Sequence, residues 1–152
     1  MCSRYNLTSP HEAVRAYFGY RTDAEFPPRY NIAPSQPVAI VRLSADNVAR
    51  ELALVRWGLI PSWVKDPREF STLINARSET AAAKPSFRGS MRHRRCLIPA
   101  NGFYEWTGPA GHKQPHLLAR HDGGILAFAG LHEHWLGADG SELETACIVT
   151  TT

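Results

Sequence analysis

Short apolar runs closed by glycine, proline or asparagine recur along this chain, and they predict strands rather than long helices. Val38 to Leu43 and Glu51 to Trp57 read as a hairpin turned at Ala45-Asp46-Asn47. Cys96 to Ile98 is an apolar strand that meets a turn at Asn101-Gly102, and an aromatic strand follows from Phe103 to Trp106. Gly108 to Gln114 turns the chain again. Strands are then expected at Pro115 to Arg120 and Ile125 to Gly130, joined through Gly123-Gly124, and at Ala146 to Thr150 after a polar turn at Ser141 to Thr145. Two segments carry helix signals. In the first, Ser9 can cap, Pro10 suits the first helical position and Glu12 completes a capping box, before an apolar face of Ala13, Val14, Ala16, Tyr17 and Phe18 that Gly19 stops. Ser78 to Ala83 is a second, short helix ended by Pro85. Phe26 to Pro37 is punctuated by prolines, which forbid a helix and preclude a central strand, so it is expected to be a stiff loop.

Composition narrows the class. A chain of 152 residues with 43% hydrophobic and 20% charged residues suits one globular domain. No apolar run approaches the ~20 residues of a membrane span, and Arg4, His11, Glu12 and Arg15 interrupt any signal-peptide core. No membrane partner is expected, and a cytoplasmic or nuclear location follows, nucleoid-associated in a bacterium. The three cysteines, Cys2, Cys96 and Cys147, have no CxxC or Cys/His spacing, so neither zinc nor a disulfide framework is expected. Cys96 and Cys147 lie in apolar contexts and read as core. Leu131-His132-Glu133-His134-Trp135 is not HExxH; its histidines would share a strand face without a third ligand, and no metal is expected there. Net charge is only +3, but Lys84, Arg88, Arg92, Arg94 and Arg95 form a block without an acid, which either binds phosphates or is a solvated basic face.

Candidate chemistry sits elsewhere. Cys2 follows the initiator methionine and is small enough for Met1 to be removed, which would leave a 1,2-aminothiol. Its amine, with an unperturbed pKa of roughly 7.7–8.0, and its thiol, at roughly 8.5, would both be partly deprotonated near neutral pH. Such a pair closes on an aldehyde to a five-membered thiazolidine. Asn75 offers donors and an acceptor, and Arg77 a planar fork that matches phosphate. By strand alternation Glu105 shares a face with Phe103, where it is either desolvated, with its pKa raised as a general acid needs, or an edge-strand side chain reaching solvent. Trp57 ends an apolar strand and reads as core. Trp63, between Pro61 and Lys65-Asp66-Pro67, lies in a turn-rich setting and is either exposed and able to stack on a base or a lid over the core.

Taken together, Met1–Tyr5, Arg29–Gln36, Trp57–Asp66, Asn75–Thr80, Arg95–Trp106, Phe128–Trp135 and Ala146–Thr150 resemble the SOS-response-associated peptidase (SRAP) family, which processes abasic sites in single-stranded DNA. The resemblance implies an α+β, β-rich single domain over residues 1–152, with a mixed, barrel-like β core and a few short helices. It implies no cofactor, a monomer, and single-stranded DNA containing abasic sites as partner. By matching position Cys2 resembles the family's nucleophile, Asn75 the asparagine that positions the N-terminus and the opened sugar, and Glu105 the catalytic acid/base. Arg4 and Arg77 resemble phosphate-binding arginines, Pro34 and Trp63 base-splaying residues, and Trp106 and Thr150 further DNA-site positions. The implied activity is a DNA–protein crosslink, with lyase and autopeptidase side activities. Two departures stand out. Ser3 replaces the usual glycine, and the family's catalytic histidine follows the Ala146–Thr150 strand, so a C-terminal portion is expected beyond Thr152.

Two other classes fit the same residues. An N-terminal-nucleophile peptidase or amidase would use the Cys2 thiol on an amide, with the free amine as base. A non-catalytic reader of modified DNA bases would need only the basic block and exposed aromatics.

Overall fold

The computed structural model describes all 152 residues. The chain runs β1 (Tyr5–Leu7), α1 (His11–Phe18), β2 (Arg29–Ile32), β3 (Pro37–Leu43), β4 (Arg50–Trp57), a 3-10 turn (Pro67–Glu69), β5 (Asn75–Arg77), α2 (Ser78–Ala81), α3 (Arg88–His93), β6 (Arg95–Ala100), β7 (Gly102–Thr107), β8 (Gln114–Ala119), β9 (Leu126–Leu136) and β10 (Glu142–Thr150). No helix is long and apolar enough to cross a membrane.

The expected hairpin forms between β3 and β4, with Val38 opposite Val55 and Ile40 opposite Ala53. Strands β4, β3, β6, β9 and β10 then follow in order, and β10 returns to β4 in parallel through Thr145↔Arg56 and Ala146↔Trp57. The result is a closed five-stranded barrel in an α+β, β-rich fold. Closure removes most of the open sheet edge. Beyond the closure point β10 pairs in parallel with β5, which sets Ile148 against Asn75 and Thr150 against Arg77. Val38, Ile40, Val55, Trp57, Ile98, Ala146 and Ile148 belong to one buried cluster.

A second sheet, in the order β2-β1-β7-β8, covers one part of the barrel. Tyr5 of β1 is 1% exposed and meets Trp57 and Phe128 edge-on at 5.4 and 5.6 Å. Such aromatic pairs contribute about 0.5–1.5 kcal/mol beyond their buried area. Tyr5 therefore nails the start of the chain to the barrel core. A smaller cluster of Leu59, Ala76, Ala81, Phe87, Leu131 and Cys147 packs under α2 and α3.

Four details differ from the sequence reading. Arg29–Ile32 forms an edge strand inside the proline-rich loop, because the prolines flank it and no ladder bond on its outer side is needed. Asn101-Gly102 is a crossing between sheets rather than a hairpin turn: β6 lies in the barrel and β7 beside β1. The Asn101 carboxamide enforces the crossing, accepting from Thr8 N–H at 2.7 Å and Ser9 N–H at 2.9 Å. It also donates to Ser9 Oγ at 2.8 Å, so Ser9 does not cap α1; Pro10 C=O instead receives Ala13 and Val14 N–H at 3.0 and 3.1 Å. Likewise β8 and β9, joined through Gly123-Gly124, enter different sheets, and β9 continues through the His132–Trp135 segment. Finally, part of the basic block folds as α3.

Candidate active site at the chain terminus

Cys2 is held three residues ahead of the Tyr5 anchor and is 7% exposed. The Asn75 side chain reaches it from β5. Asn75 Nδ2 donates to Cys2 C=O and to Ile74 C=O, each at 3.0 Å. The Ile74 carbonyl also receives Trp57 Nε1 at 3.0 Å and Ile148 N–H at 2.9 Å. Asn75 is thus fixed by the parallel β5–β10 pairing and by the core indole. Its Oδ1 is buried and has no partner, an acceptor left open beside Cys2.

Glu105 approaches from β7. Its Oε1 lies 3.7 Å from the Met1 α-amine. Of its two readings the solvent-reaching one holds, since the carboxylate is 40% exposed. Phe103 on the same strand still packs on Phe128 at 5.8 Å, but burial falls along β7 towards Trp106. His116 of β8 lies directly opposite Glu105, and its Nε2 is 2.8 Å from Thr107 Oγ1.

Burial pushes the Cys2 thiol up to about 11. A main-chain hydrogen bond from Arg4 works against this, and the Glu105 carboxylate adds to it. With Met1 attached, therefore, the thiol is protonated near neutral pH.

The other sequence candidates divide into near and far. Arg4 donates from Nη1 to Asn31 Oδ1 at 3.1 Å, and its C=O accepts Tyr104 N–H at 3.0 Å, which aligns it with β7. Trp106 is 38% exposed and tilts against Tyr104 with ring centres 6.3 Å apart. Arg77 and Thr150 end the paired strands that carry Asn75. Pro34 leads a tight turn in which Gln36 N–H reaches Ala33 C=O at 3.3 Å and Ser35 adopts φ +71°. Ser35 N–H binds Trp57 C=O at 2.8 Å, so this turn is tied through Trp57 to the carbonyl that holds Asn75. Trp63 is 60% exposed, which favours the exposed reading over a lid on the core, and it lies beside α3 rather than against Cys2.

Several features were not legible in the sequence. Nothing distinguished Asn31 as the residue that orients Arg4. Arg94, counted as a free cation in the basic block, is bound to the buried Glu133 at 2.9 Å. His132 and His134 do share a strand, and burial, with Arg42 and Arg94 nearby, pulls the His132 imidazole down to about 4.

Known proteins resemble this chain in sequence and in fold. "Abasic site processing protein YoqW" of Bacillus subtilis (strain 168) is 39% identical over 155 residues, covering 99% of this chain and 68% of that protein. "Abasic site processing protein HMCES" of Gallus gallus is 40% identical over 107 residues, covering 63% of this chain and 32% of that protein. A crystal structure of a protein from Bacteroides thetaiotaomicron superposes with a TM-score of 0.84 at 28% identity, covering 99% of this chain and 68% of that one. Residues 1–152 match the family model in full, and the chain belongs to the SOS response associated peptidase (SRAP) family.

Proposed function

We propose that this protein processes abasic sites in single-stranded DNA by a covalent crosslink through Cys2. The observation that supports this most is the bracketing of residue 2, with Asn75 on its carbonyl and Glu105 at the preceding amine. Removal of Met1 moves the α-amine by one residue, about 3.8 Å along the chain, and leaves Glu105 and the open Asn75 acceptor around it.

The chemistry follows from those neighbours. The Cys2 amine adds to the aldehyde of the ring-opened abasic sugar, and loss of one water gives a Schiff base. Glu105 accepts the amine proton and returns it to the departing hydroxyl. Asn75 Oδ1 accepts from a sugar hydroxyl and holds the open form. The thiol then adds to the imine carbon, and its proton passes to the nitrogen, which completes the thiazolidine without any further reagent. The amine attacks first and the thiol closes the ring, because only an imine carbon already formed on the Cys2 nitrogen gives the five-membered product. The same Schiff base permits strand scission by β-elimination, a lyase side reaction.

Arg4 and Arg77 hold phosphates on either side, while Trp106, Pro34, Trp63 and Thr150 line the path of the strand. A monomer suffices, and the substrate places the protein inside the cell. The peptidase reading fits less well, because a thiol at about 11 offers little thiolate for attack on an amide. A passive base reader has no use for the Asn75 and Glu105 contacts.

Intact-mass analysis and peptide mapping of protein incubated with an abasic oligonucleotide test the proposal. The expected product lacks Met1 and carries the DNA on Cys2 with the loss of one water. An adduct on a lysine, or none, refutes it.

A further inference from the structure

Strand β8 runs beside β7 and sets His116 directly opposite Glu105. Side chains opposite each other in an antiparallel pair leave the sheet on the same face, with Cβ atoms about 4.5–5.5 Å apart. That face is the one turned towards the chain terminus. From it Phe103 packs on Phe128 at 5.8 Å, and Glu105 reaches to within 3.7 Å of the Met1 α-amine. Phe103 and Leu118 form an apolar row across the two strands, and Glu105 and His116 form the polar row that follows it.

The His116 imidazole is exposed, yet it is held. Its Nε2 lies 2.8 Å from Oγ1 of Thr107, two residues beyond Glu105 on the same face of β7. In the tautomer with its proton on Nε2 the ring donates to the hydroxyl, and Nδ1 keeps a free lone pair. The histidines paired with carboxylates are His11 and His134, so no acid competes for this ring.

Strand scission needs a proton acceptor that the site has not yet been given. Glu105 stands at the amine, and in the Schiff base that nitrogen is bonded to C1′ of the opened sugar. Scission requires a base at C2′, one carbon further along. Cys2 is 7% exposed and Asn75 occupies its carbonyl side, so the sugar approaches from the open side of Glu105, where His116 stands.

We propose that His116 is the general base that removes a C2′ proton from the Schiff base and diverts part of the adduct to strand scission. This rests on the reading of Cys2 as the residue that forms the Schiff base. The C2′–H bond breaks, and its electrons pass through the enamine to form the C2′=C3′ bond. The C3′–O bond breaks, the 3′ phosphate leaves with the electron pair, and the proton stays on Nδ1. No oxidant or further reagent is consumed. Closure by the thiol competes for the same imine, so His116 sets the ratio of cut strand to stable crosslink.

The test uses the full chain and a single-stranded oligonucleotide with one abasic site. Cut strand and crosslink are followed on one denaturing gel, with Cys2→Ala as the zero for both. A positioned base contributes about 10²–10⁴-fold, so His116→Ala should lower the ratio of cut strand to crosslink at least about tenfold. Added imidazole should raise the ratio again, beyond its action on the abasic strand alone. A side chain that only held β8 to β7 would not be replaced in this way. An unchanged ratio in His116→Ala, or a lowered one that imidazole does not raise, overturns the proposal, as does a wild-type chain that crosslinks without cutting. Borohydride reduction scores the Schiff base separately. No reduced adduct on Cys2 removes the Cys2 chemistry and His116 with it, whereas a reduced adduct with an unchanged ratio removes His116 alone.

Discussion

Residue 2 gains its meaning from two side chains that are remote in sequence. Asn75 Nδ2 and Glu105 Oε1 lie 3.0 and 3.7 Å from main-chain atoms of Cys2 and Met1. If Glu105 moves the proton of the attacking amine, Glu105→Gln should slow crosslinking by roughly 10²-fold or more, the usual worth of a positioned acid/base. Binding of an undamaged oligonucleotide should be unchanged, and single-turnover kinetics beside a binding isotherm separate the two. An unaltered rate would show that the carboxylate is a bystander. The residue types were readable in the sequence, because an aminothiol, a carboxamide and a carboxylate each have a recognisable chemistry. Their environments were not. Alternation put Glu105 on the face of Phe103, but it could not say that this part of β7 stays only half-buried, with Glu105 40% exposed.

At the level of elements, most strands were legible, Arg29–Ile32 and Asn75–Arg77 excepted, and their sheet membership was not. Periodicity reports which face is buried and says nothing about which partner covers it. Asn101-Gly102 has the sequence of a hairpin turn, yet the Asn101 side chain closes on Thr8 and Ser9 and sends the chain into another sheet. Asn101→Ala should therefore cost about 1–3 kcal/mol, as it leaves two main-chain donors unpaired. Urea denaturation measures this, and a change within about 0.5 kcal/mol would mean that the crossing does not depend on the carboxamide. Arg94 makes a second case. Its pairing with Glu133 was hidden by the run of like charge around it. Arg94→Met should destabilise by about 3–5 kcal/mol, and a further Glu133→Leu should recover most of the loss. If the double variant were as unstable as the single, the unpaired carboxylate would not be the cause.

The whole molecule carries a pH signature set by its buried groups. His132 is drawn from 6.5 to about 4. The unfolded chain takes up this proton first, so the associated stability is complete above pH 6.5 and is lost as pH falls towards 4. Cys96 and Cys147 are pushed from 9.0 to about 12 by burial, and here the unfolded chain ionises first. Their share is complete below pH 9 and lost as pH rises towards 12. Urea midpoints across pH should fall at both ends, with a shallower acid limb in His132→Asn. An acid limb identical in that variant would assign it to carboxylates alone. Binding to DNA should weaken with salt, as phosphate contacts require.

The proposed function turns on one bond, between Cys2 and the abasic carbon. Denaturing electrophoresis after incubation with single-stranded DNA bearing one abasic site reads that bond directly. The wild-type chain should give a heat-stable shifted band, and Cys2→Ala should give none while still retaining the undamaged strand under native conditions. A band of equal intensity from Cys2→Ala, or no band from a wild-type chain that has lost Met1 and binds the DNA, would contradict it.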